Sequence, residues 1–113
     1  MSILILNDNE FFLDKARRYF TKRGFQIHIG NNGMDGLFYI VNYQPAAIIT
    51  QINLNMLSGV DLYRMIKSKS NFNGKFFFIS DKEEDAELEY YNEQHKVYAD
   101  KTAFKKIFSQ LSY

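Results

Sequence analysis

The chain has 113 residues, 46% hydrophobic and 24% charged, and its 14 Lys and Arg against 13 Asp and Glu leave a net charge of +1. That length reads as one domain, 1–113, able to bury about 65% of its unfolded surface without a metal or disulfide staple. The absence of cysteine excludes a disulfide framework or a zinc–thiolate site, and the near-neutral balance argues against a nucleic-acid clamp. No apolar run approaches the ~20 residues that span a bilayer. Nor does Met1-Ser2-Ile3-Leu4-Ile5-Leu6 carry a basic leader, so a cytoplasmic location without membrane attachment is expected.

The first strand is predicted near 2–6. Asn7-Asp8-Asn9 follows, any of which can cap a helix near 9–23, and Gly24 can take the left-handed conformation that ends it. The core stripe of this helix is predicted at Phe12, Ala16, Tyr19 and Phe20, and its exposed face carries Lys15, Arg17, Arg18, Lys22 and Arg23. A second strand near 25–29 alternates Ile27 and Ile29 around His28. The turn Gly30-Asn31-Asn32-Gly33 then leads into a helix near 33–43. Gly33-Met34-Asp35-Gly36 lacks the full dinucleotide spacing and a following Lys-Ser/Thr, so it reads as a helix start and not a phosphate loop.

Pro45-Ala46-Ala47-Ile48-Ile49-Thr50 supplies the third strand, near 46–50 and closed by Gln51, and a helix near 59–69 follows Gly59. After the turn Ser70-Asn71-Phe72-Asn73-Gly74, a fourth strand near 76–79 runs into Ser80. A helix near 83–93, a strand near 96–99 and a helix near 102–112 complete the chain; the last has an apolar stripe of Phe104, Ile107, Phe108 and Leu111. His28 and His95 fit no ligand spacing and read as structural or solvated, and most aromatic rings are expected in the core.

Strands alternating with amphipathic helices imply a parallel sheet covered on both faces. With right-handed crossovers this is an α/β, flavodoxin-like three-layer sandwich: a five-stranded sheet of order 2-1-3-4-5 with five helices. In that order Asn7, Asp8, Gln51, Ser80 and Lys101 gather beyond the carboxyl ends of the central strands.

Gln51 lies six residues after Pro45 and eight before Gly59. An acidic site at Asn7-Asp8, a hydroxyl at Ser80 and a lysine at Lys101 follow the first, fourth and fifth strands. In order and spacing these landmarks, from Ser2 to about Leu111, resemble the CheY-like receiver domains of bacterial response regulators. The resemblance implies that an aspartate at the Gln51 position would accept a phosphoryl group from a histidine kinase, and that two acids and this aspartate would hold magnesium. It implies further that the backbone carbonyl of Asn53 would join the metal site, and that Ser80 and Lys101 would bind the phosphoryl. Ser80 and Tyr98 would move together as the switch.

This sequence departs from that pattern where the chemistry is most demanding. Gln51 is a neutral amide one methylene longer than aspartate, and Asn7 replaces the first acid, leaving Asp8 as the one matched carboxylate. Glu10 could substitute as a ligand but suits the first turn of a helix better. Lys101 is expected to turn to Asp8 or to the amide oxygens of Gln51 and Asn7 in a fixed hydrogen-bond network. Thr102 replaces a proline, so a trans peptide is expected, and Asn55 replaces a common loop proline.

The expectation is an atypical receiver, not an enzyme and without a cofactor, acting in signal transduction as a phosphorylation-independent protein-interaction module. Its metal site, reduced to Asp8, is expected to hold magnesium weakly or not at all. The expected partner is a signalling or output protein or a second copy. It would meet a surface carrying Glu84, Glu87, Tyr91, Tyr98 and Lys105 in the acidic stretch 81–93 and the elements after it. The alternatives are a phosphoacceptor using another acid and a ligand-sensing pseudo-receiver.

Overall fold

The computed structural model describes residues 1–69, 72–80, 96–98 and 103–111, with the backbone alone at 69, 80 and 96–98. In chain order the elements are β1 (Ser2–Leu6), α1 (Glu10–Thr21), β2 (Gln26–Gly30), α2 (Gly33–Tyr43), β3 (Ala47–Gln51), α3 (Gly59–Lys69), β4 (Lys75–Ser80), β5 (Lys96–Tyr98) and α4 (Ala103–Leu111). The strands form one sheet in the order β2-β1-β3-β4-β5, parallel throughout, which is the flavodoxin-like arrangement. Four helices lie among the described residues; the helix expected near 83–93 lies outside them.

Alternation along the central strands builds two cores. Ile3 and Ile5, Ala47 and Ile49, and Phe77 and Ile79 point to the face covered by α1 and α4, where they pack with Leu13, Ala16, Phe20 and Ile107. Leu4 and Leu6, Ile48, and Phe76 and Phe78 point to the opposite face and pack with Ile40, Val60, Leu62 and Ile66. A strand buried on both faces is apolar at successive positions, which is why these runs read as unbroken apolar strings.

The expected core stripes hold in part: Ala16, Phe20, Ile107 and Leu111 are buried, and Phe12, Tyr19, Phe104 and Phe108 are half-buried against the same core. In α1 the buried residues are Leu13, Ala16 and Phe20, while Phe12 and Tyr19 are half-buried and turn toward α4, each with its ring centroid 5.4 Å from that of Phe104. In α4 the buried residues are Ala103, Ile107 and Leu111, while Phe104 lies on the flank against α1 and the Phe108 ring meets that of Phe25 at 6.2 Å. Not every ring is inside either: Phe11 is 82% and Phe38 69% exposed.

Capping follows the local chemistry. Of the possible caps before α1, Asn9 takes the role, its Oδ1 accepting the N–H groups of Phe11 and Phe12 at 2.9 and 3.1 Å. Asn32 caps α2 by accepting the Asp35 N–H at 2.9 Å, so the glycine-rich run is a helix start. Gly24 has φ +89°, left-handed as expected after a helix.

Candidate functional site

β1 and β3 are neighbours with Leu6 opposite Thr50, so the loop after β1 stands beside Gln51, the last residue of β3. Asn7 is buried, at 5% exposure; its N–H donates to the Gly30 carbonyl at 3.1 Å and its Oδ1 accepts the Asn9 N–H at 2.9 Å. This side chain therefore shapes the turn into α1. Asp8 is exposed, and its main-chain N–H donates to Gln51 Oε1 at 2.8 Å. The donor fixes the orientation of the amide, because only its oxygen can accept an N–H.

Beyond Gln51 the chain is held by its backbone. Gly59 donates its N–H to the Ile52 carbonyl at 2.8 Å, and a Cβ at Gly59 would stand 2.2 Å from the Gln51 carbonyl oxygen. That close approach is the physical reason for a glycine eight positions after Gln51. The Asn55 carbonyl accepts the Gly33 N–H at 3.2 Å and the Leu57 N–H at 2.8 Å, with Met56 at φ +70° between, the geometry of a γ-turn. The loop where a proline is common is thus fastened to the start of α2. Asn53 sits in it, exposed, two residues past Gln51.

Ser80 ends β4 and is the register partner of Tyr98 in β5, which puts the two proposed switch positions side by side in the sheet. Lys105 is exposed on the first turn of α4. Lys101, with its expected partners, and Thr102, with its expected trans peptide, lie outside the described residues. So do Glu84, Glu87 and Tyr91. The oxygens of Asn7 and Gln51 that were expected to face Lys101 each already accept a main-chain N–H.

Asp8 and Glu10 also line an open cleft of about 510 Å³ with Asp14, Arg17, Ile29 and Asp35. Arg17 and Arg18 reach Asp14 at 3.1 and 2.9 Å, and Glu10 occupies the first turn of α1. Among the described residues no three acidic or histidine side chains come together to hold a metal ion, and no helix is long and apolar enough to cross a membrane.

Sequence reasoning missed two features here. One is the reach of Gln51 to Asp8, for which residue type offers no signal across 43 residues. The other is the exposed apolar stripe of α2, Met34, Phe38 and Val41, whose signal was a helix apolar on all sides.

Comparison with known proteins agrees with this fold. The family model of the response regulator receiver domain matches residues 3–109. A probable transcriptional regulator, ycf29, of Pyropia yezoensis is 32% identical over 65 residues, covering 57% of this chain and 29% of that protein. The response regulator MprA of Mycobacterium sp. (strain KMS) is 24% identical over 66 residues, 58% of this chain and 29% of the relative. The matched stretch is under a third of the length of these relatives. Among solved structures, the chemotaxis response regulator CheY4 of Vibrio cholerae superposes with a TM-score of 0.81 at 12% identity, covering 98% of this chain and 95% of that one. A LuxR-family DNA-binding response regulator from Staphylococcus aureus superposes at 0.83 and 19% identity, covering 96% of each chain. With its five-stranded parallel sheet and loop cluster at the carboxyl edge, the chain belongs to the response regulator receiver domain family.

Proposed function

We propose that this receiver domain does not accept a phosphoryl group and works in signal transduction as a phosphorylation-independent protein-interaction module, without catalysis of its own. The observation that carries this reading is Gln51. A receiver nucleophile needs an anionic oxygen, and Gln51 presents a neutral amide whose oxygen is engaged with the Asp8 N–H.

The residues present do not fit magnesium. The ion asks for hard, preferably anionic oxygens in a strict octahedron. Asp8 is the one carboxylate of the matched set, and the Asn7 and Gln51 oxygens are neutral and hydrogen-bonded to main chain. The acidic stretch 81–93, with Glu84, Glu87 and Tyr91, together with Tyr98 and Lys105, is the proposed surface, since crowded like charges gain from a basic partner. Reversing charge at Glu84 and Glu87 weakens partner binding under this reading, and unchanged affinity removes the surface.

The reading is tested by intact-protein mass after incubation with magnesium and a small-molecule phosphodonor, with the double variant Asn7→Asp/Gln51→Asp alongside. Unmodified wild type with a phosphorylated double variant is the expected result. Phosphorylation of the wild type overturns it.

A further inference from the structure

We infer that the outer edge of β2 is a self-association surface, at which a second copy of this chain adds its own β2 antiparallel to form one continuous sheet. The inference rests on the edge strand and not on the loss of phosphoryl transfer.

Among the described residues β2 pairs with β1 alone. The Gln26 N–H donates to the Met1 carbonyl at 2.9 Å and the Gly30 carbonyl accepts the Asn7 N–H at 3.1 Å, so the polar groups of Gln26 and Gly30 face β1. Backbone direction alternates along a strand, so the N–H and C=O of Ile27 and Ile29 face outward, toward the open edge. Soluble proteins blunt such edges with lysine, proline, inward charge or shortness. From Phe25 to Met34 this chain has no Lys, Arg, Asp, Glu or Pro, whereas β5, at the other side of the sheet, is three residues long.

The strand is also self-complementary. A two-fold axis at His28 sets Ile27 opposite Ile29 of the second copy, and each such pair can exchange both of its outward hydrogen bonds. His28 meets its own copy in the closer, non-hydrogen-bonded kind of pair.

The flanks favour the same occupant. On one face His28 stacks on Tyr39 with ring centroids 4.1 Å apart, and Tyr39 stacks on Tyr43, which is 67% exposed, so an aromatic ledge runs beside the edge. Apart from Asp35, α2 has no formal charge. On the other face Ile29 is 40% exposed beside Arg17, whose charge is already met by Asp14. The strand itself brings no charged side chain to the axis, and the acids of the cleft beside Ile29 (Asp8, Glu10, Asp14 and Asp35) flank the pairing and do not belong to the strand. The basic row Lys15 and Arg18 of α1, with Lys22 and Arg23 just after it, could not approach its own copy without like charges facing each other.

The test is sedimentation equilibrium of the chain over a concentration series, with Ile29→Pro and His28→Lys. Proline at 29 removes an N–H that the β1 ladder does not use, so the fold survives while an intercopy bond is lost. Lysine at 28 leaves the backbone alone and brings two ammonium groups together. Far-UV circular dichroism checks that both variants are folded, and His28→Lys decides if the proline variant is not. The expected result is a reversible dimer whose dissociation constant rises at least tenfold in each folded variant. A wild type that stays monomeric at the highest attainable concentration overturns the inference. So does a dimer that both variants leave unchanged, or one weakened only by charge reversal at Glu84 and Glu87.

Discussion

The side-chain oxygen of Gln51 accepts the main-chain N–H of Asp8 at 2.8 Å, tying the end of β3 to the loop after β1. The bond occupies the side chain on which the proposed function rests. The glutamine side chain, one methylene longer than aspartate, spans this gap. Gln51 therefore brings a fastening without a charge.

That fastening has a measurable worth. Gln51 is half-buried and Asp8 is exposed, so water replaces part of the lost bond when the amide is removed. Gln51→Ala is expected to lower unfolding stability by about 1 kcal/mol, the net worth of one hydrogen bond. Urea denaturation checks this. A variant as stable as the wild type would mean that the bond contributes nothing beyond hydration.

Restoring the acid alone should not restore the chemistry. Gln51→Asp provides an anionic oxygen, yet Asn7 remains a neutral amide whose oxygen serves the Asn9 N–H. Magnesium then has Asp8 and the new carboxylate but not the third, and phosphorylation is expected to stay far slower than in Asn7→Asp/Gln51→Asp. The time course of phosphoryl mass gain from a small-molecule donor compares the two. Equal rates would show that the carboxylate at position 7 is dispensable.

How much of this was legible in the sequence depends on the range of the interaction. Strand order and the position of Gln51 were readable because alternation of apolar runs and the Pro45, Gln51 and Gly59 spacing are properties of the string. Asn9 as a cap was readable because capping is local. In the α1 core stripe Ala16 and Phe20 were readable, but Leu13 was not, because Phe12 looks like the core residue and its ring turns instead to Phe104 on α4, a contact between distant parts of the chain. The Gln51 to Asp8 bond joins two loops that the topology brings together, so no local pattern announces it. Met56 gave no sign of a positive φ, a conformation that Gly or Asn would have advertised.

Gly59 is expected to be intolerant of any side chain. A Cβ there would lie 2.2 Å from the Gln51 carbonyl oxygen and 3.1 Å from Thr50 Cγ2, and the first of these is backbone, which cannot swing aside. Gly59→Ala must shift α3 away from β3 or distort the strand end. A loss of about 1–3 kcal/mol follows, the usual range for overpacking. Thermal unfolding measures it, and a midpoint within a degree of wild type would show that the loop absorbs the methyl group.

Met56 predicts the opposite sign. Its φ of +70° places a side chain where Cβ crowds the following carbonyl, at a cost of about 1–2 kcal/mol that glycine does not incur. At 77% exposure the methionine buries little apolar surface in return. Glycine loses more backbone entropy on folding, which takes back part of the gain, so Met56→Gly is expected to stabilise the domain by about 0.5–1 kcal/mol. Equilibrium unfolding in urea gives the number directly. Destabilisation would mean that the exposed methionine makes contacts whose loss outweighs the relief of strain in the turn.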